Sequence, residues 1–114
     1  MNVAFDLDGT IDENAEFFSS LASALSAAGH HVYVITGIEQ DEVTEDDIAA
    51  KAAYLKSIGF TSYDFLYVCP EPHDTWKAKL VQDLDIIALF DNDKDNVKAC
   101  APYCTALLVW NARR

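Results

Sequence analysis

The chain has 114 residues, enough for one domain with a single core over 1–114 and too few for a second independent one. Eight Lys and Arg against nineteen Asp and Glu give a formal charge of −11, which disfavours nonspecific attraction to nucleic acid or to an anionic membrane. No apolar run approaches the roughly 20 residues that span a bilayer, and no cationic leader with a cleavage site precedes the first apolar stretch, so a soluble, cytoplasmic protein is expected. Cys69, Cys100 and Cys104 leave no even disulfide framework and read as buried small apolar residues of a reducing compartment. Cys100-x3-Cys104 is a poor metal signature, because Pro102 lies between the two and no other Cys or His is close in sequence.

Val3-Ala4-Phe5 is a near-continuous apolar run, as expected of a parallel strand buried on both faces, and it leads into Asp6-Leu7-Asp8-Gly9-Thr10. Gly9 permits a sharp turn at the strand tip, and the i, i+2 spacing of Asp6 and Asp8 brings both carboxylates to one side. Two like charges about 4 Å apart repel by about 4 kcal/mol at an effective dielectric near 20, so a bound cation or a shared proton is the natural resolution.

After the polar turn Ile11 to Asn14, Phe18, Leu21, Ala22, Leu25 and Ala28 recur at helical spacing and predict a helix over 15–28, stopped by Gly29. His31 to Thr36 is a second strand ending in Thr36-Gly37; His30 and His31 sit at its opposite end and read as exposed loop residues. Thr44 followed by three acids opens a second helix, with Ile48, Ala52, Leu55 and Ile58 as its buried face up to Gly59. Asp64 to Cys69 is a third strand, and Pro70 and Pro72 are expected to keep the chain in a loop until Trp76, where a short helix runs to about Asp83. Ile86 to Phe90 predicts a fully buried fourth strand ending in Asp91-Asn92-Asp93-Lys94-Asp95. A helix from Asn96 to about Cys100 and a fifth strand from Ala106 to Trp110 precede the basic tail Arg113-Arg114.

Strands alternating with helices imply an α/β fold, a doubly wound three-layer α/β/α sandwich with a five-stranded parallel sheet in the order 3-2-1-4-5. Such sheets bind ligands beyond the carboxyl ends of their strands, beside the first strand. Asp6, Asp8, Thr36 and Asp91 all fall there.

On these residues the chain resembles the haloacid dehalogenase-like superfamily of phosphohydrolases over essentially its full length. The Asp-x-Asp-Gly-Thr signature matches Asp6 to Thr10, the strand-terminal Thr-Gly matches Thr36-Gly37, the strand-terminal acidic motif matches Asp91 with Asp95, and a lysine precedes that last strand. The resemblance implies a magnesium-dependent phosphomonoesterase in which Asp6 attacks phosphorus, Asp8 serves as general acid and base, and Thr36 binds a nonbridging phosphate oxygen. It implies Mg2+ held by Asp6, Asp8 through its backbone carbonyl, and Asp91, with Asp95 at the family's spacing. Asp93 stays open as an outer contact or a simple helix cap. Lys77 is favoured as the catalytic lysine because it follows the Asp74-Thr75 helix start, with Lys79 as the alternative.

Neither usual position of an inserted cap domain has room here, so the site is expected to be open, receiving a phosphorylated macromolecule's end or being covered by a neighbouring copy in a homo-oligomer. Thr10 and Gly37 within the motifs, and His73 and Trp76 on the loop after the third strand, are candidate substrate contacts; a surface histidine and a packed tryptophan are the plainer alternative for the last two. The acidic charge favours a nucleotide or sugar phosphate over a nucleic-acid end. The competing reading from another class is an idle domain that uses the same fold for binding.

Overall fold

A computed structural model describes residues 1–111, and the basic tail Arg113-Arg114 lies outside them. The apolar run at the start forms the central strand β1, Asn2–Phe5, and the elements follow in the order α1 Ala15–Ala27, β2 His31–Gly37, α2 Glu45–Ser57, β3 Phe65–Cys69, α3 His73–Asp83, β4 Ile86–Asp91, α4 Lys94–Cys100 and β5 Thr105–Leu108. All strand pairs are parallel, in the order β3-β2-β1-β4-β5. None of the described helices is long and apolar enough to cross a membrane.

Alternation along the strands sorts the apolar residues onto two faces. Val3, Phe5, Val32 and Val34 pack with Phe18 and Ala22 of α1 and Leu55 of α2. Ala4, Tyr33, Ile35 and Leu89 pack with Val81 of α3 and Cys100 of α4. The sheet therefore lies between two helical layers, each with its own apolar cluster. The first is the more aromatic: the Phe5 ring lies 5.6 Å from Phe18, 6.3 Å from Phe60 and 5.1 Å from Phe90.

Local chemistry explains the boundaries. The Asn14 side chain accepts from Phe17 N at the start of α1, and Thr44 and Asp47 form a reciprocal capping box on α2. Gly29 and Gly59, the expected stops, both adopt the left-handed conformation.

Several expectations need correction. Helix α3 begins at His73, three residues before Trp76, because Pro72 occupies the cap position, where its missing N–H costs nothing. Strand β4 is not fully buried: Ile87 is 44% exposed, being the residue skipped where the register with β1 shifts from Asn2–Ile86 to Val3–Ala88, and it precedes the pairing with β5, which starts at Ala88. Ile48 and Ala28 face solvent, so the buried stripes of α2 and α1 are narrower than their spacing suggests. The fifth strand ends at Leu108, leaving Trp110 beyond the sheet.

Cys69 and Cys100 are buried free thiols and Cys104 is half-buried. Burial pushes the Cys69 thiol up to about 11 and the Cys100 thiol up to about 12. Iodoacetamide at pH 8 is therefore expected to label these two at least tenfold more slowly in the native protein than in urea, as followed by intact mass; equal rates would contradict the packing described. Phe5→Ala should cost about 3–5 kcal/mol in urea denaturation, because it empties the centre of the aromatic cluster.

Candidate functional site

Strand β1 ends at Phe5, and Asp6 N still donates to Phe90 O at 2.9 Å, which fixes Asp6 beside the end of β4. The chain then closes a wide turn over Leu7–Ile11, in which Gly9 takes a left-handed φ of 86° and its N–H donates to Asp12 Oδ1 at 2.8 Å. Thr36 ends the buried part of β2 and Asp91 ends β4, so the ends of three strands meet at one sheet edge. They line a crevice of about 520 Å³.

The centre of this crevice is a buried ion triad. Lys77, from the first turns of α3, donates to Asp6 Oδ1 and to Asp91 Oδ2, both at 2.7 Å. Asp91 also accepts from Asp93 N at 2.9 Å and from Asn96 Nδ2 at 3.2 Å. Burial opposes the charge on Lys77, but the two carboxylates together outweigh it and hold its pKa above the ordinary lysine value. The Asp6 pKa is raised as well, but here burial dominates and favours the neutral acid: aided by the neighbouring Asp91, it lifts the carboxyl from 3.8 to about 6 despite Lys77.

The mouth of the crevice has a second lysine that the sequence did not single out. Lys51 of α2 donates to Asp8 Oδ2 at 2.6 Å, and Thr36 Oγ1 donates to the same oxygen at 3.5 Å. One turn along α2, Tyr54 Oη donates to Asp12 Oδ2 at 3.1 Å. The two acids at the strand tip are thus each matched by an ammonium, Lys77 for Asp6 and Lys51 for Asp8. Helical spacing on a polar face was the only sequence signal for Lys51, and nothing there distinguishes it from a solvated lysine.

The remaining expected residues divide. Lys77 lines the crevice, whereas Lys79 is exposed and pairs with Asp83 at 3.9 Å. Gly37 and His73 line it together; a Cβ on Gly37 would lie 2.7 Å from the imidazole, whose Nε2 meets Ile38 O. Thr10 is fully buried, its hydroxyl turned to Asp6 Oδ2 at 3.4 Å and Asn92 Oδ1 at 3.3 Å, so it braces the site from below instead of facing a ligand. Trp76 is turned away and lines a separate cavity of about 470 Å³ with Tyr67 and Leu80. Asp95 is exposed, and one helical step moves the inward position to Asn96, which the sequence reading missed. Asp93 caps α4, accepting from Asp95 N at 2.8 Å and Asn96 N at 3.1 Å.

The carboxylate and carbonyl oxygens here are of the type that suits a hard divalent cation. Even so, among the described residues no group of three or more His, Cys, Asp or Glu is placed to hold a metal ion, and the expected four-aspartate set is not assembled. Asp6 and Asp91 converge instead on the Lys77 ammonium.

No protein-family model and no curated protein sequence matches the chain. Solved structures do. A universal stress protein in complex with cAMP shares 11% identity and a TM-score of 0.59, covering 96% of this chain and 95% of its own. A protein of the universal stress protein family from Burkholderia pseudomallei shares 8% identity and a TM-score of 0.55, covering 95% and 94%. At such identities the likeness establishes a common Rossmann-like fold. It also corrects the identification with haloacid dehalogenase-like phosphohydrolases, because the neighbours found are universal stress proteins. The expected magnesium-dependent phosphomonoesterase, with an aspartyl-phosphate on Asp6 and Asp8 as acid and base, falls with it. The physical reason is topological: a 3-2-1-4-5 sheet delivers polar strand ends to one edge whatever chemistry is done there, so their convergence locates a ligand without naming a reaction.

A carboxyl whose pKa rises on folding holds its proton more tightly in the native state, so its contribution to stability is present below about pH 4 and is lost as pH rises through about 6. Asp6→Asn is therefore expected to be more stable than the parent at pH 8 by about 1–3 kcal/mol, with the gap closing towards pH 4. Urea denaturation at both pH values in metal-free buffer tests this, and a gap independent of pH would refute it.

Proposed function

We propose that the chain binds a small phosphorylated ligand, a nucleotide, in the crevice at the carboxyl edge of its sheet. The observation that carries this is the convergence there of Lys51, Thr36, His73 and the Lys77 triad, drawn from separate segments around about 520 Å³. That is where doubly wound sheets hold nucleotides, and the universal stress protein that matches in fold was solved with cAMP. A small ligand also suits the volume better than a polymer suits a chain of charge −11.

Five acids, Asp6, Asp8, Glu39, Asp91 and Asp93, face two lysines in this crevice. A phosphate entering alone meets net repulsion, so the reading includes Mg2+ arriving already bound to the ligand's phosphate, with no ligand set of the chain's own required. The ion would supply the positive charge that the lining lacks. Lys51 would meet the phosphate from the mouth while Lys77 keeps the two buried carboxylates neutralised.

Isothermal titration calorimetry with AMP, ATP, cAMP and ribose 5-phosphate, each with Mg2+ or with EDTA, tests the reading. Saturable binding of at least one nucleotide is expected, tighter with Mg2+, and Lys51→Met should weaken it about tenfold and flatten its salt dependence. Absence of binding across the panel at millimolar ligand would sink it.

A further inference from the structure

Beside the crevice lies a smaller hollow of about 190 Å³, lined by Gly9, Asn92, Val109, Trp110 and Asn111. Asn92 lines both spaces, so they adjoin at the end of β4. The parallel register aligns Asp91 with Leu108, and Val109 N donates to Asp91 O at 2.8 Å. Trp110 therefore projects just past the sheet on the same edge as the crevice. It is 79% exposed, the highest value among the exposed large apolar residues. It also sits in a run, 99–112, that carries no charged side chain in a chain of charge −11.

A large aromatic left in water costs free energy that folding could have recovered by burying it, so its exposure beside a binding crevice calls for a ligand face. An uncharged aromatic platform repels nothing and attracts no phosphate. It suits the flat, uncharged part of a nucleotide, whose base stacks on an indole, while Asn92 and Asn111 carry amide groups suited to a base edge. We propose that Trp110 is the stacking platform for the ligand's base, with the phosphate in the larger crevice and the sugar passing Asn92. This rests on the nucleotide reading above and adds the part of the site that tells a nucleotide from a sugar phosphate.

The two readings separate in one experiment. Trp76→Phe leaves Trp110 as the chain's only tryptophan, since there are two in all. In that background AMP with Mg2+ is expected to quench Trp110 fluorescence saturably, and ribose 5-phosphate to leave it unchanged. In calorimetry on the otherwise unaltered chain, Trp110→Ala should weaken AMP about tenfold and ribose 5-phosphate less than twofold, with Trp110→Phe retaining most of the AMP affinity. Unchanged circular dichroism and thermal midpoint establish that the variants fold. If AMP binds equally to the parent and to Trp110→Ala, or binds without altering Trp110 emission, the platform is overturned while nucleotide binding stands. If AMP does not bind, whichever of ATP and cAMP binds takes its place in the same arms, and if no nucleotide binds the parent, both readings fall.

Discussion

One ammonium group holds the carboxyl edge of this sheet together. Parallel strands lie about 4.8 Å apart, so acids that end β1 and β4 are forced into each other's field. The fold places Asp6 and Asp91 there, nearly free of solvent, and Lys77 lies 2.7 Å from both. Without it two carboxylates would be buried against each other with no compensating charge, and losing the ammonium would cost about 3–5 kcal/mol. The contacts tie the central strand, its neighbour and α3 into one unit.

The two lysines of the crevice answer the same electrostatic problem at different depths. Lys77 neutralises charge where water does not reach. Lys51 does so at the mouth, where its Asp8 partner is about half exposed and the attraction is screened. Tyr54 adds a second link between α2 and the turn after β1, through Asp12 to the Gly9 amide. Helix α2, otherwise weakly amphipathic with Leu55 as its buried anchor, is thereby fixed to the site by polar contacts as much as by packing.

The architecture was legible because it rests on local signals that agree: apolar strands of the right length, capping residues, and glycines at helix ends. The site was legible in part. Asp6, Asp8, Thr36, Lys77 and Asp91 could be placed at one edge because strand ends are visible in sequence. Side-chain direction was not, and this is where Thr10, Trp76 and Asp95 went astray: each is near the crevice in sequence and turned from it by one step of helix or loop. Lys51 was missed because its contact with Asp8, 43 residues away, is a tertiary fact. The chemistry was over-read for a different reason. A short acidic motif at a strand tip follows from the topology as readily as from a reaction, and a likeness in fold to universal stress proteins shows the same frame in other use.

The register of β1 has a bearing on how the protein is made. Residues 2–5 lie at the middle of the sheet, yet one of their two partners is residues 86–90. During synthesis β1 emerges well before β4, and one of its hydrogen-bonding edges stays open until residues 86–90 have followed. Val3 and Phe5 can be covered earlier by α1 and β2, but the edge that awaits β4 cannot. That interval, in which a short apolar strand has a bare edge, is the time at which this chain is most exposed to pairing with the wrong neighbour.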